Sequence, residues 1–437
     1  MQQGHNLMSL KSFYEHKIKK IFSILYSIRQ KDTYHQLDKC DVLLICHDHD
    51  LGMTLDGKAY SPIIDSMLEA LEKHGWICRR FALPFSILVG EKAFAAPVNA
   101  NRRMFLSRIL MKLAETYRKI RHQTNVSDEA FALSSENFYF ELFKKIECKC
   151  IMGIGLSSDI CRASNRLGIF SLEILHGIGL PEISQKLNRQ EPQALPKGIL
   201  SFDTISTQAY SVLASKEVTV KQTPHLWLNR FTDENRANLP AEWKKRVETN
   251  QKYQKNILIT LQWGYDGEVP LLQNILNNGI LSEAIIEAIK ETGNEIFWWI
   301  RLHPVQLRGR NYRHHKEFLE NLSSRFKNCE WREASSLPLP ALLQQCDGHI
   351  TMISGSAYDA SFFGVPTLLL CPTLQKGGVH EKYFSDLKTS KKAILGKLSP
   401  KDIIEWVKYA HRLPENTESK NMSIEDVIKW SMGRVDK

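Results

Sequence analysis

What the 437-residue sequence lacks narrows the possibilities first. No apolar run is long enough to cross a bilayer. Residues 1–31 are basic and have no small-residue cleavage site behind an apolar core, so no signal peptide is expected. The nine cysteines include no CxxC pair, and Cys148 and Cys150, one residue apart, suit neither a zinc knuckle nor a thioredoxin-type motif. An odd number of thiols in a chain of this length points to reduced, mostly buried cysteines and a cytoplasmic location. No helix-turn-helix, zinc-finger or RNA-recognition pattern accompanies the formal charge of +10. Nucleic acid is therefore not the expected partner, which leaves an anionic substrate or an anionic membrane surface. No repeat of solenoid length is present.

What is present is a globular composition, 43% hydrophobic and 24% charged, at a length suited to two domains. Strand-length apolar runs alternate with helical patterns in both halves, which predicts α/β architecture with parallel sheets. The first half opens with a helix over residues 9–31, where Ile18, Ile21, Phe22, Leu25 and Ile28 form a stripe among lysines. It is expected either to pack on its own domain or to lie on anionic lipid. A strand at Asp41–Cys46 runs into His47-Asp48-His49-Asp50. That alternation suggests a metal, but neighbouring side chains in an extended loop point opposite ways, so few could reach one ion. The loop reads instead as a cleft lining that hydrogen-bonds sugar hydroxyls, with no metal. A long helix over Arg102–Gln123 is expected to face inward through Phe105, Ile109, Leu110, Leu113 and Tyr117 and to show its arginines outward. His176, followed by Gly177 and Gly179, ends a later strand and is a second cleft candidate. The first domain is expected at 1–225, a polar linker at 226–255 and the second domain at 256–437.

In the second half three runs carry the chemistry. Ile257–Trp263 leads into Gly264-Tyr265-Asp266-Gly267, Ile296–Ile300 leads into Arg301-Leu302-His303-Pro304, and His349–Ile353 leads into Ser354-Gly355-Ser356. In a parallel sheet the loops after the strands share one edge, where ligands bind, so Asp266, His303 and the serines should converge. Free amides and the positive end of the following helix attract phosphate, Gly355 lets it approach, and two hydroxyls add donors.

The stretch from Ser354 to Thr367, with Asp359-Ala360 and Gly364-Val365-Pro366, resembles the nucleotide-phosphate loop and helix of GT-B glycosyltransferases. The UDP-N-acetylglucosamine 2-epimerases share that domain shape. An acidic-Gly motif, a His-Pro motif and a serine pair in that order resemble bacterial sialyltransferases, polysialyltransferases and Kdo transferases of capsule and lipopolysaccharide assembly. Here the first motif holds one acid, Asp266, and Gly355 splits the serines. The resemblance spans residues 257–372. It implies two Rossmann-like domains facing each other across a cleft, with the donor in the second and a surface glycan or glycolipid acceptor in the first. It also implies roles. Asp266 would be the general base and His303 the donor to the leaving phosphate. Arg301, Ser354, Gly355, Ser356 and Asp359 would bind a nucleotide sugar, with CMP favoured, while His47, Asp48, His49, Asp50 and His176 would line the acceptor side. No cofactor or metal is expected, in keeping with the lack of a DxD motif in the second domain. The rival readings are a nucleotide-sugar 2-epimerase, a transferase using a CDP-activated polyol phosphate, and a non-catalytic sugar-binding module of a glycan assembly complex.

Overall fold

The computed structural model describes residues 22–120, 127–177, 179, 181–223, 225–232, 234–244, 253–265, 272, 275–276, 278–308, 312–414 and 424–432. Two compact units emerge: residues 1–227 with 420–437, and residues 228–419.

The first unit is built on a six-stranded sheet. Its strands are β1 (Val42–Cys46), β4 (Cys78–Ala82), β5 (Cys150–Gly153), β6 (Phe170–Ile174), β7 (Gly198–Ser201) and β8 (Thr219–Gln222). All neighbours are parallel, in the order β4-β1-β5-β6-β7-β8. Every residue of β1 is buried, because helices cover both faces. Successive side chains leave a strand on opposite sides. Val42, Leu44 and Cys46 thus meet Ile64, Met67, Leu68 and Leu71 of the helix Ile64–Lys73. Leu43 and Ile45 meet Tyr139, Phe143 and Ile146 of the helix Ser127–Ile146. A short antiparallel pair, β2 (Met53–Leu55) with β3 (Lys58–Tyr60), was not expected. Its turn places Asp56 and Gly57 at φ 49° and 74°, the positive-φ pair of a tight hairpin.

The second unit has β9 (Lys255–Thr260), β10 (Ile296–Arg301), β11 (Cys329–Glu330), β12 (Gly348–Thr351), β13 (Thr367–Leu369) and β14 (Ala393–Leu395). They form one parallel sheet in the order β11-β10-β9-β12-β13-β14. β10 is buried throughout, with Trp298 and Trp299 among the largest hidden side chains.

Three expectations are corrected. The stretch 226–255 is not a plain linker: Leu228, Phe231, Leu239 and Trp243 are buried, Phe231 stacks on Trp243, and its carbonyl accepts from Gln344 of the second unit. Apolar anchors sit there inside a charged composition. The final helix, Ile424–Met432, counted with the second domain though open to folding back across the first, groups with the first unit, where Val427 joins the core and Trp430 packs edge-on against Phe170. The lack of a side chain at Gly198 makes room for that indole; a Cβ there would lie 2.8 Å from it. The third is the helix Asn101–Ile120, which turns Asn101 and Met104 inward and leaves Ile109 and Leu110 exposed. The side chains of Leu113 and Tyr117, and residues 9–21 of the expected terminal helix, lie outside the described residues.

Candidate functional site

A doubly wound sheet opens a crevice where the strand order reverses, because loops on either side of that point run to opposite faces. In the second unit the reversal falls between β9 and β12. Gln262 follows β9, and its side-chain carbonyl accepts from the Ile353 amide, across that point, at 3.1 Å. Its backbone carbonyl accepts from Gln306 Nε2 at 3.4 Å, and Gln306 Oε1 accepts from the His303 amide at 2.9 Å. The loops after β9, β10 and β12 are therefore bonded into one rim carrying His303 and Ser354. Gln262 and the buried Gln306 were not singled out from sequence; their signal is a polar residue just past a strand end and another three after His303. Asp266 and Gly267 lie outside the described residues.

The Val305 amide donates to His303 Nδ1 at 3.2 Å. An accepting Nδ1 in a neutral imidazole places the ring proton on Nε2. At the serine turn, Ser354 Oγ accepts from the Ser356 amide at 3.3 Å, and Gly355 caps the helix Ser356–Phe362. Ser356 points the other way, into the core. Its hydroxyl lies 2.8 Å from Thr260 Oγ1 and 3.4 Å from His349 Nε2, in a chain that continues from His349 Nδ1 to Thr367 Oγ1 at 3.0 Å. The geometry thus gives Ser354 and the backbone, rather than the Ser356 hydroxyl, to the rim. Arg301 is also turned in: Nη1 donates to the carbonyls of Ala334 and Leu337. Burial lowers its pKa to about 10, against the opposing charge of Asp359. Burial pushes Asp359 up to about 7, with Arg301 opposing.

In the first unit the order reverses between β1 and β5. His47–Asp50 follows β1 as a single helical turn. Asp50 Oδ2 accepts from the His47 amide at 3.2 Å, and Asp48 Oδ2 accepts from the Ile87 amide at 2.7 Å, so both carboxylates hold backbone. His47 and His49 are exposed, as is His176 after β6. Desolvation lowers the His47 pKa, with Asp50 opposing it and His176 adding to it. Among the described residues no group of His, Cys, Asp and Glu is arranged to hold a metal ion. Gly179 serves packing: a Cβ there would lie 2.6 Å from the Tyr210 ring. Sequence reasoning passed over Glu173. Its carboxylate accepts from the Gly155 and Leu156 amides at 2.7 and 2.8 Å, fastening the loop after β5 beside His47. Burial pushes Glu173 up to about 7, against those two hydrogen bonds.

No described protein family matches the sequence, and no curated protein does. Solved structures resemble it in shape. A UDP complex of S. aureus MnaA is 10% identical, covers 92% of this chain and 98% of its own, and has a TM-score of 0.50. The UDP-GlcNAc 2-epimerase of Methanocaldococcus jannaschii is 13% identical over 89% of this chain and 98% of that one, at 0.49. The wall teichoic acid polymerase TagF is 12% identical over 98% and 91%, at 0.45. At such identity the likeness concerns the fold alone, and of these three the first is close enough to support it. The fold is GT-B, with two Rossmann-like domains. In GT-B terms the rim of the second sheet belongs to the second Rossmann-like domain, and the rim with His47, Glu173 and His176 to the first.

Proposed function

We propose that the chain is an inverting, metal-independent glycosyltransferase. It moves a sugar from a nucleotide-sugar donor, a CMP-sugar in preference, to a bacterial surface glycan or glycolipid at the cytoplasmic face of the membrane. One observation carries this reading: the hydrogen-bonded meeting of the loops after β9, β10 and β12 at the strand-order reversal of the second sheet. In the proposed step the acceptor hydroxyl attacks the anomeric carbon and its proton passes to the Asp266 carboxylate. The bond to the donor phosphate breaks, and its electron pair leaves on the phosphate. His303 Nε2–H donates to that oxygen, where charge grows only as the bond opens. Ser354 and the amides of the turn hold the same phosphate, and Asp359 accepts from a ribose hydroxyl. Arg301, committed to two carbonyls, acts as a fixed positive charge behind the rim. The acceptor is assigned to the first unit, with His47, His49 and His176.

A 2-epimerase acting on a UDP-sugar is the second reading, supported by the UDP held in the S. aureus MnaA structure. A thermal-shift screen with CMP, CDP, UDP and GDP separates them, since a ligand at 100 times its Kd stabilises the folded state by about 2.7 kcal/mol. The expected result is the largest rise with CMP and a product that requires acceptor. A rise with UDP and turnover of the donor alone selects the epimerase. CDP binding with phosphate in the product selects polyol-phosphate transfer. No rise with any nucleotide overturns every enzymatic reading.

A further inference from the structure

An amphipathic helix on a soluble domain normally turns its apolar stripe inward. The helix at residues 22–29 does the reverse. Ser27 is fully buried, while Phe22, Leu25 and Tyr26 are 64%, 45% and 49% exposed. The adjoining helix Asn101–Ile120 shows the same inversion: Leu106, Ile109 and Leu110 are 56%, 38% and 64% exposed, and Asn101 is buried. The two helices are joined by their polar groups. Asn101 Nδ2 donates to the Ser27 carbonyl at 3.4 Å, and Arg102 donates to the carbonyls of Ile28 and Arg29, both at 2.8 Å. The polar atoms therefore hold the helices together and the large apolar side chains are left outside.

The charge on the two helices is predominantly positive, Glu115 being the one acid in Asn101–Ile120. Residues 22–31 contain Arg29 and Lys31, residues 101–110 contain Arg102, Arg103 and Arg108, and neither stretch contains an Asp or a Glu. Asp32, just beyond, is turned back to accept from the Arg102 and Arg103 amides at 2.8 and 2.9 Å. Among the described residues no helix is long and apolar enough to cross a membrane. A purely apolar patch would suit a second protein equally well. Exposed apolar side chains beside the exposed Arg29, Arg102 and Arg103 match an anionic bilayer, whose headgroups take the charge while the acyl boundary takes the rings and leucines.

We propose that the paired helices at residues 22–29 and Asn101–Ile120 form a docking surface for an anionic lipid bilayer. The surface is independent of the chemistry of the second unit, so its failure and that of the transferase reading are separable. The test is co-sedimentation of the full chain with vesicles of phosphatidylcholine alone and of phosphatidylcholine with 30 mol% phosphatidylglycerol. The expected result is binding to the anionic vesicles at least tenfold tighter than to the neutral ones, weakened by 0.5 M salt. F22S/L110S and R29E/R103E should each weaken that binding at least tenfold, because each buried side chain and each basic residue contributes. All four side chains are exposed, and unchanged circular dichroism and melting temperature are the checks that the variants remain folded. Equal partition into both vesicle types overturns the proposal, as does unchanged binding by both double variants. A concentration-dependent dimer in sedimentation velocity that F22S/L110S abolishes also overturns it, and assigns the surface to a second copy of the chain.

Discussion

His349 makes acid sensitivity a quantitative test of the second unit. Its side chain is fully buried in β12, with Nε2 2.9 Å from Thr260 Oγ1 and Nδ1 3.0 Å from Thr367 Oγ1. Burial lowers its pKa to about 3. In the unfolded chain an ordinary histidine titrates near 6.5. Below that pH the unfolded state takes a proton that the folded state refuses, so stability falls as pH drops and continues to fall until the folded pKa is reached. Integrated from pH 6.5 to 4.5, this costs about 2 kcal/mol. The control is His349→Gln, which keeps an amide near the Nε2 position for Thr260 and cannot titrate. It is expected to lose about 1–3 kcal/mol at pH 7.5, because the Thr367 hydroxyl loses its imidazole partner. Its disadvantage should then shrink by about 2 kcal/mol between pH 6.5 and 4.5. Urea unfolding followed by tryptophan fluorescence reads this directly, since Trp298 and Trp299 are buried in the adjacent part of the same sheet. A gap between wild type and variant that stays constant over this pH range refutes the reasoning.

Two further outcomes are expected. Arg80 and Asp65, 3% and 0% exposed, form an ion pair at 3.1 Å under the end of β1, with Arg80 Nη2 also donating to Cys46 Sγ. R80M should cost about 3–5 kcal/mol by stranding a buried carboxylate, and D65L/R80M should recover most of it; chemical denaturation of all three variants closes the cycle. In the second unit, D266A and H303Q should each lower kcat by roughly 10²–10³-fold while the melting temperature and nucleotide-induced shift stay near those of wild type. Near-normal turnover in either removes that residue from the mechanism.

The central strands were legible in the sequence because each is a continuous apolar run closed by a turn signal, as in Val42–Cys46 and Ile296–Arg301. A strand buried on both faces leaves few other readings, and parallel order follows from the helices between them. The hairpin at Asp56-Gly57 was missed although its dipeptide is a strong signal, because its strands are three residues each. The inward face of Asn101–Ile120 was misjudged for another reason. Periodicity shows that an apolar stripe exists, not which medium it meets. At the candidate site, His303 and Ser354 could be placed because they end strands. Gln262, Gln306 and Glu173 could not, since their partners are fixed by tertiary contacts: Ile353 lies far along the chain from Gln262, and Gly155 sits in the loop after β5 while Glu173 belongs to β6. The inward turn of Ser356 likewise depends on Thr260 across the sheet.

The placement of Val427 and Trp430 in the first unit bears on how the chain is made. Synthesis from the ribosome delivers all six strands of the first sheet early, yet the piece that covers Gly198 and Phe170 emerges only after the whole second unit. Until then a nascent chain carries a bare apolar site on an otherwise formed domain, open to chaperones or to a neighbouring nascent chain. A stop codon shortly before residue 424 would make that exposure permanent, while every strand of both sheets and every candidate site residue would still be encoded.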